Sequence, residues 1–421
     1  MNGIVATVGI CLLACIGVPL FAIMTLAALV AFSIADVQIS IVAQEIYKIA
    51  AQPTIVTIPL FTFAGYLIAE SRSPERLMRL AQTGLGWIPG GISIVTLIIC
   101  AFFTAFTGAS GVTIIALGGV IYPILIKEGY SEKFTLGTIT ASGSLGLLFP
   151  PSLPIILYGM VGKVDIDKLF KAGIIPGFVI ILILGGWSLY NGPRNLEKRP
   201  FILKDFLQAL KDAWLEAILP VAVLIGIYGG FTTVTEAAAF TALYVLIVEV
   251  WIYKDLKFFK DVPKIAVDAM SLVAAILLVL CCALAFTNWM VDEDIPLKIF
   301  ALMKTHIDNK YTFLLFLNLF LLIVGSVMDI FSAIVVVVPL ILPIARDFGV
   351  DPVHMAMIFL TNLEIGYLHP PIGINLFIAS NRFKKPITAL YAASVPFLIL
   401  MVIALIIITY VPALSLFWFN K

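Results

Sequence analysis

Charge is what this 421-residue chain has least of: 12% of its residues are Asp, Glu, Lys or Arg, while 62% are hydrophobic. Soluble domains carry about 25% charged residues. With a mean hydropathy of +1.11, the apolar surface exceeds what a soluble core can shelter, so the chain reads as an integral membrane protein in a lipid bilayer. The 26 basic and 25 acidic side chains nearly cancel, which leaves no basic field for a nucleic acid. Only three histidines occur, His306, His354 and His369, too few for a soft-ligand metal centre. The five cysteines, Cys11, Cys15, Cys100, Cys281 and Cys282, lie in apolar runs without a C-x-x-C spacing and read as small hydrophobes. H-E-x-x-H, G-x-S-x-G and paired Asp-rich motifs are also missing, so a membrane-embedded enzyme is disfavoured. The apolar run over residues 3–32 lacks a cationic n-region and a small-residue cleavage site, and reads as a retained first span.

What is present is a set of spans. A hydrocarbon core of about 30 Å needs about 20 helical residues. That length picks out spans near 4–33, 52–70, 170–191, 213–232, 235–253, 264–290 and 388–415. Residues 89–126 and 312–345 are apolar but polar and Gly-rich at their middles, and read as re-entrant hairpins of two half-length helices. Residues 131–161 and 352–380 are interrupted by Pro150-Pro151 and Pro370-Pro371. Tandem prolines remove donors and disfavour helix before them, so both spans must break there. The linkers collect the basic residues: 71–86, 192–212, 254–264 and 381–386. The positive-inside rule makes them cytoplasmic. The N-terminus is then inside, the first hairpin opens to the cytoplasm, the second opens outward, and the C-terminus is outside.

The halves repeat. Pro123 pairs with Pro343, an offset of 220 (343 − 123), and the same offset relates Gly129 to Gly349, Gly146 to Gly366, Pro150 and Pro151 to Pro370 and Pro371, and Pro176 to Pro396. Residues 1–191 therefore form one repeat (scaffold 4–70, hairpin 89–126, broken helix 131–161, closing helix 170–191). A linker, 192–212, leads to the second, 213–421 (scaffold 213–290, hairpin 312–345, broken helix 352–380, closing helix 388–415). An odd number of crossings between equivalent elements makes the repeats inverted, the architecture of secondary transporters with sites where broken helices meet. Hairpins opening from opposite sides suit alternating access better than a channel.

A cation in such a site needs oxygens from freed carbonyls and from Ser, Thr, Asn and Asp. The first half offers Gly108, Ser110, Gly111 and Thr113 at its tip and Thr140, Ser142, Gly143 and Ser144 before its break. The second offers Gly325, Ser326, Asp329 and Ser332 at its tip, Thr361, Asn362, Glu364 and Gly366 before its break, and Asn375 after it. Asp329 and Glu364 stand out, because a carboxylate at mid-bilayer costs at least about 2.5–3.5 kcal/mol. A bound sodium, a carried proton or a helix N-cap would compensate it. Ser152, His369 and Asn375 are candidates for lining the solute path, His369 having the alternative of bonding a freed carbonyl.

Five strings, IPLFTFAG (58–65), LLFPPSLPIILYG (147–159), GGFTTVTEAAAF (229–240), MDIFSAIVVVVPLILPI (328–344) and LEIGYLHPPIGINLF (363–377), resemble the large membrane subunit of TRAP (tripartite ATP-independent periplasmic) transporters. The resemblance covers nearly the whole chain in the family's order. It implies an all-α integral membrane protein of the ion-transporter superfamily, elevator-type, with a mobile domain built from both hairpins and both broken helices. It further implies sodium as coupling ion, no other cofactor, and an inner-membrane location. The implied partners are a small four-helix membrane subunit, supplied separately, and a periplasmic solute-binding protein delivering an organic anion of the carboxylate class. Both tips and both pre-proline stretches fall on the family's ion-binding elements. The alternative is a self-sufficient sodium- or proton-coupled carrier of the same superfamily.

Overall fold

Glycine and proline mark several helix ends, at Gly90, Gly108, Gly373 and the Pro150-Pro151 break among others, while Pro123, Pro176, Pro220, Pro339, Pro343 and Pro396 lie inside helices. The computed structural model describes residues 12–13, 18–34, 38, 40, 43–44, 47, 51–88, 90–193, 201–305, 307, 309–370 and 372–419. All regular structure among them is helical. We number the helices α1 (Leu20–Ile34), α2 (Thr57–Glu70), α3 (Ser73–Leu85), α4 (Gly91–Thr107), α5 (Ser110–Lys127), α6 (Glu132–Ser142), α7 (Leu153–Gly162), α8 (Ile166–Asn191), α9 (Leu203–Tyr228), α10 (Val234–Ile247), α11 (Asp261–Asp292), α12 (Ile295–Lys304), α13 (Lys310–Val327), α14 (Ile330–Asp347), α15 (Pro352–Gly366), α16 (Ile374–Phe383), α17 (Ile387–Tyr410) and α18 (Ala413–Leu416). Eight helices among the described residues are long and apolar enough to cross a membrane. They become nine if Glu132–Leu148 and Leu153–Gly162, bent by 44° at the Pro150-Pro151 break, count as one span.

The repeat is visible in the backbone. α5 and α14 begin and end at the 220-residue offset. Each is closed by a glycine with positive φ, Gly129 (80°) and Gly349 (74°), a backbone state that glycine adopts without strain. Each is followed by a side-chain N-cap: Ser131 accepts from the Phe134 amide, and Asp351 from the amides of Val353 and His354. After the proline breaks the offset slips by one, and left-handed lysines, Lys163 (φ 53°) and Lys384 (φ 54°), end α7 and α16. The halves interlock, because α5 packs on α16 and α14 on α7, so the second arm of each hairpin lies against the other half's broken helix. The hairpin arms, α4, α5, α13 and α14, are 17 or 18 residues long. At 1.5 Å per residue that is about 26 Å, longer than the half-length helices expected.

Two helices were not expected. Residues 71–86, read as a charged linker, contain α3, an amphipathic helix with proline in its first turn and Leu77 and Met78 buried. Its Arg76 is an ion-pair hub. Nε lies 2.5 Å from Glu216, Nη1 2.6 Å from Asp255 and Nη2 3.2 Å from Glu249, with the guanidinium 3.9 Å from the Tyr253 ring centroid. Burial opposes this charge, but the carboxylates, Glu216 first, outweigh it and hold Arg76 charged more firmly than usual. Arg76 therefore fastens α3 to α9 and to the segment after α10 that carries Glu249 and Asp255. The second unexpected helix is α12, which also carries proline in its first turn. The string 229–240 resolves into a left-handed turn at Gly230 (φ 71°) and a capping box in which Thr233 and Glu236 satisfy each other's amides.

Candidate functional site at the two hairpin tips

The first tip forms because Gly108 ends α4 in the left-handed region (φ 65°) and Ala109 returns to extended backbone before α5. A side chain at Gly108 would strike Leu153, at 2.3 Å. Beneath the tip, Thr104 Oγ1 reaches Gly143 O (2.7 Å) and Thr113 Oγ1 (2.8 Å), tying the tip to the first break. There α6 ends at Ser142 and a short 3-10 turn, Leu145–Leu148, leads to the prolines. Thr140 donates to Leu136 O, Ser142 to Ile139 O and Ser144 to Ala141 O. These are bonds back to the preceding helical turn.

At the second tip, Asp329 is the N-cap of α14. Its carboxylate accepts from the amides of Phe331 and Ser332, each at 3.0 Å, and from Ser332 Oγ at 2.5 Å. Of the compensations weighed for this charge, the geometry is that of the cap. The tip is fastened to the second break through Tyr367, whose hydroxyl accepts from the Ile330 amide (3.0 Å). Ser326 donates back to Ile323 O. Gly325 and Gly366 touch directly, since a Cβ on Gly366 would lie 2.4 Å from the Gly325 carbonyl carbon. The first half repeats the contact: a Cβ on Gly146 would lie 2.3 Å from the Ala105 amide nitrogen, and Ala105 is the repeat partner of Gly325.

The second break differs from expectation. α15 runs unbroken to Gly366, so Thr361, Asn362 and Glu364 sit on helix, not on unwound backbone. Positions two apart on a helix point nearly oppositely. Asn362 faces α13, donating to Asn318 Oδ1 (2.7 Å) and to Ile358 O (2.8 Å); Thr361 and Glu364 share another face. Glu364 is fully buried, and among the described residues neither of its oxygens has a hydrogen-bond partner. The same holds for Thr361 Oγ1, Asn362 Oδ1, Ser152 Oγ and Asn375 Oδ1. Asn375 joins the two breaks by donating to Thr140 O (3.2 Å). His369 Nδ1 sits on the Pro370 carbonyl, the bland alternative for that residue. Pro371 lies outside the described residues.

Both tips open on one cavity of about 570 Å³. Gly108, Ser110 and Gly111 line it from the first tip, and Asp329, Phe331 and Ser332 from the second. Tyr367 and α16 complete that side. The opposite wall is Tyr66 of α2 and an apolar stripe of α11 from Leu272 to Val279. Thr113, Thr140, Ser142, Gly143, Ser144 and Ser152 of the first half and Gly325, Ser326, Thr361, Asn362, Glu364, Gly366, His369 and Asn375 of the second do not line it. Sequence reasoning missed Thr104, Tyr66, Tyr367 and Asn318. Asn318, a lone amide in the run LLFLNLFLL, carried a readable signal, because an isolated polar group in apolar helix requires a partner.

The sequence matches, over residues 7–414, the family described as Tripartite ATP-independent periplasmic transporter, DctM component. It is 37% identical over 410 residues to the isethionate TRAP transporter permease protein DctMQ of Oleidesulfovibrio alaskensis, covering 96% of this chain and 64% of that protein. It is also 33% identical to the C4-dicarboxylate TRAP transporter large permease protein DctM of Rhodobacter capsulatus, over 91% of both chains. Among solved structures, the YdaH transporter of Alcanivorax borkumensis shares the fold, with a TM-score of 0.61 at 13% identity over 86% of this chain and 85% of that one. The match to the family runs through both tips, both breaks and the helices that wall the cavity, and the chain belongs to the DctM family of TRAP transporter large permeases.

Proposed function

We propose that this chain is the permease of a sodium-coupled importer for a small organic anion, fed by a periplasmic solute-binding protein and completed by a small membrane subunit. Inverted hairpins and broken helices move as one body against α2 and α11 in an elevator cycle. The observation carrying this reading is the cavity between the tips, where two quasi-equivalent elements meet across from helices of the scaffold. Buried acceptors without donors among the described residues, Glu364 above all, which lies outside the cavity lining, support a coupling cation, since such atoms are expensive unless something pairs with them. The named solutes of the relatives, isethionate and C4-dicarboxylates, are small anions of suitable size. Each net positive charge entering at about 100 mV adds about 2.3 kcal/mol, roughly fiftyfold in accumulation. Uptake of isethionate and of succinate into proteoliposomes should require the binding protein and an inward sodium gradient, and should rise when the interior is made negative. Full uptake in choline under a pH gradient would make the coupling ion a proton, and uptake without the binding protein would make the chain a self-sufficient carrier.

A further inference from the structure

Beside the tip cavity lies a wider, open surface cavity of about 1050 Å³, formed by the end of α16 and the turn that leads to α17. Its charged lining is Arg382, Lys384 and Lys385, with no acid. Lys385 is paired with Glu132 at 2.6 Å. Among the described residues no carboxylate pairs with Arg382 or Lys384.

Arg382 is held in place. Its Nε donates to Ile115 O of α5 (3.1 Å), and Nη2 lies where a Cβ on Gly119 would stand, 2.3 Å away. Glycine at 119 thus makes room for the guanidinium, and a pre-positioned arginine fork loses little freedom on meeting an oxyanion. Lys384 ends α16, its amide bonded to Ser380 O. The carbonyl end of that helix disfavours an anion by roughly half a unit charge, and two unpaired cations outweigh it.

The two cavities share Ile115 and Ile378, which form the partition between them. Gly111 of the first tip is what lets Ile378 lie there, since a Cβ on it would come within 2.6 Å of Ile378 Cδ1.

We propose that the basic cavity at Arg382 and Lys384 is a second, sodium-independent binding site for the oxyanion group of the carried solute, a carboxylate or sulfonate, reached from the tip cavity past Ile115 and Ile378. This rests on the organic-anion reading above. The site is a stop on the solute's path at the end of the molecule that carries α16's basic turn.

Calorimetric titration of the purified chain in neutral detergent, with succinate and with isethionate, in sodium and in choline, tests it. Binding of at least one anion should persist in choline and weaken about tenfold in the Arg382→Gln/Lys384→Gln double variant, the loss expected for charge-assisted bonds. Both residues are exposed, so the variant should fold. Its sodium-dependent binding should remain, because the tip cavity is untouched. No binding in choline, or choline binding unchanged in the variant, would overturn the proposal. So would binding of phosphatidylglycerol in nanodiscs with neither soluble anion bound, which would mark a lipid-headgroup site. Absence of a sodium-dependent component in the wild-type chain, with choline binding that weakens in the variant, counts against coupled transport and leaves this site standing.

Discussion

At the first break, repeat positions 142 and 144 are serines whose hydroxyls bond back to their own helix. At the second, the same positions are Asn362 and Glu364; Asn362 bonds across to Asn318, and the carboxylate has no partner among the described residues. The backbone devices, by contrast, are held in common. Gly129 and Gly349, Ser131 and Asp351, Lys163 and Lys384, and Gly146 and Gly366 do the same geometric work in each half. Positions that set where a helix starts or stops keep their geometry: glycine takes positive φ at 129 and 349 without strain and permits backbone contact at 146 and 366, while lysine holds the left-handed state at 163 and 384. Side chains facing the interior are free to diverge. Before the first break the hydroxyls at 142 and 144 close on their own helix, whereas before the second an amide oxygen and a carboxylate stay open among the described residues, so cation dependence should reside at the second break.

The sharpest way to break that comparison is Glu364→Gln. If the carboxylate is compensated only by a bound cation, removing its charge forfeits about 2.5–3.5 kcal/mol of cation binding, and apparent sodium affinity in proteoliposome uptake should fall about fiftyfold or more. The same change should raise the thermal midpoint in choline, where the wild-type charge stands uncompensated. Ser144→Ala in the first half should change apparent sodium affinity by no more than about threefold and should not raise the thermal midpoint in choline, its hydroxyl being spent on a local bond. Unchanged sodium dependence in Glu364→Gln, with loss of pH dependence, would assign that site to a proton.

Next in size are Gly146→Ala and Gly366→Ala. Each added methyl meets backbone, Ala101 O at 2.2 Å in one case and the Gly325 carbonyl carbon at 2.4 Å in the other, where no side chain can rotate away. Both should lower stability by about 1–3 kcal/mol, read as thermal midpoint in detergent, and by similar amounts. A large inequality would show that the halves share residues at these positions without sharing their mechanical role.

What sequence made legible follows the same division. Gly and Pro identities at a fixed offset carry backbone geometry directly, so the repeat and both breaks could be read. α3 escaped because its charges resemble those of a linker. Arg76 finds its partners at Glu216, Glu249 and Asp255, which only the fold brings together. Position in an apolar run singles out both acids, and it cannot separate a capped carboxylate from an orphaned one. Part of that distinction was nevertheless available: Asp329 stands immediately before an apolar helical run with a serine three residues on, the pattern of a helix start, whereas Glu364 lies within a helical pattern.

The smallest effect is therefore expected at Asp329, although the sequence alone makes it as prominent as Glu364. Its oxygens already receive two amides and the Ser332 hydroxyl, and the positive end of α14 adds a further favourable term of about 0.3–1 kcal/mol. Asparagine is nearly as good an N-cap as aspartate. In Asp329→Asn the remaining carbonyl oxygen can take both amides while the new NH₂ donates to Ser332 Oγ, whose proton turns elsewhere. Stability should change by less than about 1 kcal/mol, and apparent sodium affinity by only a few fold, mainly through the lost dipole term. Asp329→Ala removes the cap and should lower stability by about 0.5–2 kcal/mol. Measuring the sodium dependence of uptake for the Asn variant beside Glu364→Gln decides the matter: a loss of fiftyfold at Asp329 as well would make the tip an ion site in its own right and would extend open acceptor chemistry from the second break to the second tip.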